Sequence, residues 1–208
     1  MPLEIIKVCG ITSAADALFA AQNGATALGF VFYAGSPRCL RVDEAAMIGA
    51  VVPRGVLRVG VFVNEDPEQI RQVANAARLD VVQLHGDEAP HLCRDLEGLR
   101  IWKAFRVGDG FSPSIIEDFD CEAFLLDGTS ELSYGGSGRV FPWLLAAEAK
   151  QWGRIIVAGG LDGGNVVQAV QTVGPYGVDA SSKLESRPGV KDQDKVRQYL
   201  EAAHSVKS

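Results

Sequence analysis

A thiol beside a lysine at the end of one apolar run, and a carboxylate at the end of another, are the groups best suited to moving protons. The first run is Lys7-Val8-Cys9-Gly10. Alternation along a strand puts Ile5, Lys7 and Cys9 on one face, and Gly10 frees the backbone beside the thiol. A lone thiol is more often an inert buried group. A lysine inside a strand, however, needs a partner or a route to water, and its charge favours a nearby thiolate. The second run is Phe124-Leu125-Leu126-Asp127, followed by Gly128. Taken alone, Asp127 reads equally well as a turn or helix-capping residue.

Two later segments read as anion binders. Ala158-Gly159-Gly160-Leu161-Asp162 and Ala180-Ser181-Ser182-Lys183-Leu184-Glu185 supply glycines for close backbone approach and serine hydroxyls as donors. Each stands where a helix amino terminus can face an anion. A glycine pair alone is often an ordinary turn, so the reading rests on the two loops together. Arg38, at the end of Tyr33-Ala34-Gly35-Ser36-Pro37-Arg38, offers a planar donor fork suited to a carboxylate. In isolation it is an ordinary solvated arginine. His85, after Val82-Gln83-Leu84, fits a hydrogen-bonded structural histidine better than a catalyst. Lys7, His85 and Asp179 are assigned supporting places. Gly135-Gly136-Ser137-Gly138 fits a mobile loop over the site. Neither a dinucleotide fingerprint nor a P-loop lysine motif occurs.

The elements that must position these residues are short apolar runs with helical stretches between them. Strands are expected at Ile5–Cys9, Ala27–Phe32, Val56–Val63, Val81–Leu84, Leu99–Phe105, Ala123–Asp127, Ile155–Ala158 and Gly177–Ala180. Most are continuous blocks of Val, Ile, Leu and Phe, as in parallel strands buried on both faces. Thr12 or Ser13 caps a helix running to Asn23, which Gly24 closes. Asp66-Pro67 opens another over Glu68–Ala77. Asp162 opens Gly163–Val173, and Asp192 or Asp194 opens the terminal helix towards Ala203. Gly108–Asp120, with Pro113, is expected to be short or irregular. Eight strand–helix units point to an α/β chain folded as a single (β/α)8 TIM barrel spanning residues 1–208. An open doubly wound sheet also alternates strand and helix. The eight-strand count and the spread of candidate residues from first strand to last favour closure. In a barrel those residues share the carboxyl mouth. Strands 1 and 6 are then separated by two others, at roughly 4.8 Å per step, leaving room for a sugar ring.

Composition excludes several classes. The chain has 208 residues, 47% hydrophobic and 22% charged, enough for one domain with a sizeable core. Its net charge of −6, without a basic cluster, argues against nucleic acid. No apolar run approaches a membrane span, and Met1-Pro2-Leu3-Glu4 does not begin a signal peptide. A cytoplasmic setting without membrane contact is expected, with Cys9, Cys39, Cys93 and Cys121 as reduced thiols. Three isolated histidines and no CxxC spacing give no metal-ligand pattern.

The order KVCGIT, GFVFYAGSPR, VGVFVN, VVQLHGDE, LLD, GGSGRVFPW, VAGGLDGGNV and GVDASSKLESRPGVKD resembles the phosphoribosylanthranilate isomerase family over nearly the whole chain. The resemblance implies a single barrel of tryptophan biosynthesis, acting on a small phosphosugar as a monomer or homodimer without metal or organic cofactor. It implies an Amadori rearrangement of N-(5-phosphoribosyl)anthranilate to 1-(2-carboxyphenylamino)-1-deoxyribulose 5-phosphate. Cys9 matches the family's general base and Asp127 its general acid. Arg38 matches the arginine that binds the anthranilate carboxylate, while Gly159-Gly160 and Ser181-Ser182 match the phosphate site. At ordinary pKa values an aspartate is ionised and a thiol neutral. The apolar run before Asp127 and an anionic substrate push towards protonation, while Lys7 helps Cys9 ionise. The residues alone leave the two roles interchangeable; the resemblance assigns them. One departure concerns Lys183, where the family usually has glycine: its side chain either points outwards or joins the phosphate site. The alternative is a non-catalytic or differently specific phosphosugar-binding barrel, against which the pairing of Cys9 with Asp127 speaks.

Overall fold

The β-branched and leucine-rich runs pair side by side in sequence order, because each is apolar on both faces and needs cover on both. In the computed structural model, which describes residues 3–108, 110–128 and 143–206, they are β1 (Ile5–Cys9), β2 (Ala27–Val31), β3 (Leu57–Phe62), β4 (Val81–Leu84), β5 (Ile101–Arg106), β6 (Ala123–Asp127), β7 (Ile155–Ala158) and β8 (Gly177–Ala180). All pair in parallel, and β8 returns to β1, so the sheet is a closed barrel rather than an open one. The Gly135–Gly138 segment lies outside the described residues.

Two sets of buried side chains define the layers. Ile5, Ala27, Val59, Val81, Trp102, Ala104, Ala123, Leu125, Ile156 and Ala158 fill the barrel interior. The alternate positions, such as Ile6, Val8, Leu28 and Phe30, pack outwards against helix residues such as Ala17, Ala20, Val196 and Leu200. Period-two alternation therefore carries Lys7, Cys9, Asp127 and Asp179 inwards or to the carboxyl mouth. The register sets Lys7 beside Asp179, Cys9 beside Gly29, and Asp127 beside Ala158.

Helices α1 (Ala14–Gln22), α2 (Val42–Ala50), α3 (Pro67–Ala76), α4 (His91–Asp95), α5 (Trp143–Ala149), α6 (Val166–Val173) and α7 (Gln193–Ser205) surround the strands. Ser13, Asp66 and Asp192 accept N–H groups of the first turns of α1, α3 and α7, as expected from the sequence. Among the described residues the Gly108–Asp120 stretch holds only a 3₁₀ segment, over Pro113–Asp118. Strand ends differ by one or two residues at β2, β3 and β5, a normal fraying of boundaries.

One helix start needs correction. Asp162 does not open α6; its carboxylate accepts the Gly164 N–H at 2.8 Å and closes a turn. The consecutive glycines 163 and 164 disfavour helix, so α6 begins three residues later than expected. Sequence patterning also omits α2, α4, α5 and a hairpin, β9 (Glu185–Arg187) with β10 (Val190–Lys191). The start of α2 is held by the Glu44 carboxylate reaching back to the Arg41 N–H, 2.9 Å away. Among the described residues no helix is long and apolar enough to cross a membrane.

Candidate active site

A cleft opens at the carboxyl ends of the strands. Cys9 and Asp127 line it together with Asp179 and His85. At the tip of β1 the thiol packs against Gly29 of β2, where a Cβ would come within 2.6 Å of its sulfur. Glycine at that position leaves the space that the thiol fills. Asp127, at the tip of β6, is 5% exposed. Its Oδ1 has no hydrogen-bond partner among the described residues, and its Oδ2 lies 3.5 Å from His85 Nε2, an electrostatic contact not aligned as a hydrogen bond. Gln83, wholly buried in the barrel, meets His85 Nδ1 at 2.9 Å. An amide donor there places the imidazole proton on Nε2, facing Asp127.

Beneath the thiol, Lys7 is fully buried and donates to Asp179 Oδ2 at 3.0 Å. Burial works against its charge, but Asp179 and Cys9 outweigh burial and hold the ammonium above the ordinary lysine value. Asp179 is pushed up by burial more than Lys7 lowers it, and its Oδ1 has no hydrogen-bond partner among the described residues. Burial likewise pushes the Cys9 thiol up; Lys7 opposes the shift without reversing it, and Asp179 adds to it. The expected help from Lys7 is therefore present and overridden, because a sulfur cut off from water loses more solvation than one shared ammonium returns. Below its own pKa, alkylation of Cys9 by iodoacetamide should climb about tenfold per pH unit through pH 8.5 without levelling. Peptide mass spectrometry at Cys9 reads this directly. A plateau below pH 8 would mean a stabilised thiolate instead.

Arg38 lines the same cleft, but the fork predicted for a ligand is half taken. Its Nε and Nη2 donate to the two oxygens of Glu185, each at 2.7 Å. Lys191, also buried, donates to Glu185 at 3.0 Å and to the Ser181 carbonyl at 3.2 Å. These two cations outweigh burial and hold the Glu185 carboxyl below its usual range. Glu185 thus fixes Arg38 by one edge of the guanidinium and leaves the Nη1–Nη2 edge for a second carboxylate. Sequence reading assigned Glu185 no role; a residue 147 positions from its partner carries no local signal.

The two loops expected to bind an anion adjoin across the mouth, and Gly159, Gly160, Ser181, Ser182 and Lys183 all line the cleft. Gly159 has φ +86°, and a Cβ there would sit 2.4 Å from the Gly128 nitrogen and 2.8 Å from Asp127 Oδ1. Only glycine fits so close to the acid. Asn165 Nδ2 donates to the Gly160 carbonyl and its Oδ1 accepts from Asp162 N–H, both at 2.9 Å, which stiffens the turn. Ser181 Oγ donates to the Cys9 carbonyl at 3.1 Å, joining the two ends of the barrel seam. Lys183 is exposed at the rim. It forms no ion pair with the described residues.

A thiol and a carboxyl group at the carboxyl mouth of a (β/α)8 barrel, beside glycine- and serine-bearing loops, have the layout of a barrel enzyme's active site. Comparison with known proteins narrows the class. The family described as N-(5'-phosphoribosyl)anthranilate (PRA) isomerase matches residues 6–202. N-(5'-phosphoribosyl)anthranilate isomerase of Trichlorobacter lovleyi is 50% identical over 199 residues, covering 95% of this chain and 97% of the relative. Phosphoribosyl anthranilate isomerase from Thermotoga maritima superposes with a TM-score of 0.90 at 40% identity, covering 99% of this chain and all of that one. A phosphoribosyl anthranilate isomerase solved with reduced 1-(o-carboxyphenylamino)-1-deoxyribulose 5-phosphate gives 0.86 at 37% identity, with coverage of 99% and 100%. The chain belongs to the phosphoribosylanthranilate isomerase family and is an isomerase.

Proposed function

We propose that Asp127 and Cys9 carry the two proton transfers by which this chain converts N-(5-phosphoribosyl)anthranilate to 1-(2-carboxyphenylamino)-1-deoxyribulose 5-phosphate. Asp127 gives its proton to the furanose ring oxygen; the C1–O bond breaks and the nitrogen lone pair forms a Schiff base. The Cys9 thiolate then removes the C2 proton, and the resulting enolamine tautomerises to the ketone. The observation that carries the reading is that thiol and carboxyl line one cleft, bounded by the glycine and serine loops. His85 Nε2, facing Asp127, is suited to steady the carboxylate left after proton donation. Lys7 is suited to balance the thiolate.

The phosphate would take the backbone donors of Gly159 and Gly160 and the hydroxyls of Ser181 and Ser182. The Lys183 ammonium at the rim would join it, so inorganic phosphate should inhibit Lys183→Gly several-fold less than the parent; equal inhibition would place that side chain outside the phosphate site. The open edge of Arg38 would take the anthranilate carboxylate. Arg38→Ala should then raise KM about 10–100-fold, the value of a charged hydrogen-bonded pair, and should leave an aniline analogue lacking the carboxylate little changed. Equal losses for both substrates would remove Arg38 from that role. A cytoplasmic setting, as monomer or homodimer, completes the proposal. The direct test is loss of phosphoribosylanthranilate fluorescence on adding purified protein in the presence of a chelator. Unchanged fluorescence would overturn the reading.

A further inference from the structure

Away from the cleft, two thiols meet. Cys93 lies on α4 and Cys121 in the turn leading into β6, and their Sγ atoms are 3.1 Å apart. Both are free. A disulfide needs about 2.05 Å, so a closing movement of roughly 1 Å joins them, within the reach of a side-chain adjustment. We propose that Cys93 and Cys121 form a redox-active dithiol, a modification site that low-molecular-weight disulfides such as oxidised glutathione convert to an internal cystine.

Three features of the surroundings suit the chemistry. Cys93 is buried and Cys121 half-buried, and both line a surface cleft that also holds Arg94, Arg100, Asp120 and Glu122. That cleft gives an oxidant a route to the sulfurs. Either thiol can donate in the hydrogen bond between them, so once one proton has left, the remaining proton is shared. The bond from Cys121 holds Cys93 below the ordinary thiol value; burial opposes this and Lys103 assists. The same bond, with burial, pushes Cys121 up. The pair therefore releases its first proton more readily than an isolated buried thiol, and the charge rests on Cys93.

The exchange balances without any further reactant. The thiolate attacks one sulfur of oxidised glutathione, the glutathione S–S bond breaks, and one glutathione thiolate leaves and takes up a proton. A mixed disulfide remains on the protein. The second cysteine loses its proton to water, attacks the protein sulfur of that mixed disulfide and expels the second glutathione thiolate, which is protonated in turn. Two protein thiols are oxidised by two electrons, and one disulfide becomes two thiols. The new bond ties residues 28 positions apart, linking α4 to the start of the strand that carries Asp127.

The test uses the full chain with Cys39→Ser, which removes the exposed thiol. After incubation with oxidised glutathione at pH 8, Cys93 and Cys121 should both be lost to alkylation. Their peptides should appear cross-linked, and Tm should rise by roughly 5–10 °C, as expected when a loop of this length is closed. Dithiothreitol should reverse both changes. In the Cys121→Ser variant, glutathione should stay trapped on Cys93. Two fully alkylatable thiols, a stable glutathione adduct without a cross-link in the parent, or no adduct in the Cys121→Ser variant would each overturn the proposal.

Discussion

Cys9→Ser and Asp127→Asn should each lower kcat by about 10²–10⁴-fold, the range that a positioned acid or base contributes, while the fold and product affinity stay nearly unchanged. Serine has a similar shape but is far less acidic, so it gives no base at neutral pH. Asparagine keeps the planar outline of Asp127 and cannot donate an acidic proton. Neither change removes a hydrogen bond of the Gly159–Gly160 turn, which Asn165 holds, or of the Arg38–Glu185 pair; KM should therefore move little. Steady-state turnover with calorimetric product binding separates the two effects. Near-normal turnover in either variant would remove that residue from the chemistry. A large loss of affinity with kcat preserved would move it from catalysis to binding.

The barrel was legible because its strands are written locally. A run such as Ile155–Ala158 has no polar face, and a strand without a polar face must be covered on both sides. The caps at Ser13, Asp66 and Asp192 were equally local, each a side chain that meets N–H groups two or three residues on. The shared position of Cys9 and Asp127 at the mouth was legible for the same reason, as polar groups ending apolar runs. What the sequence hid was long-range. Lys7 meets Asp179 across 172 positions, Arg38 meets Glu185 across 147, and Lys103 on β5 meets Glu88 at 2.8 Å in a buried pair on the outer face of the barrel. A charge inside a strand announces that a partner exists, not which one. The α6 boundary failed for a local reason: Asp162 had the right residue type for a cap, and the two glycines after it left a turn where a helix was expected.

Removing the charge under the thiol tests whether that buried pair serves folding, chemistry or both. Lys7→Met keeps the volume but leaves the Asp179 carboxyl, 6% exposed, without its partner. Breaking a buried ion pair from one side costs roughly 3–5 kcal/mol, which for a domain of this size lowers Tm by roughly 6–20 °C. The pH dependence has a definite sign. Burial already raises the Asp179 pKa above its unfolded value, and without Lys7 it rises further. A carboxyl with a raised folded pKa destabilises the fold as pH climbs above the unfolded value of about 3.9 and does so fully once it is ionised in both states. The deficit should accordingly be largest at neutral pH and shrink on acidification. The double variant Lys7→Met with Asp179→Asn removes both charges and should recover most of the lost Tm and its pH dependence. The thiol should not recover with it: Lys7 acts on Cys9 more strongly than Asp179 does, so alkylation of Cys9 at pH 8 should stay slower than in the parent. If alkylation returned to the parent rate along with Tm, the ammonium would be serving the fold alone.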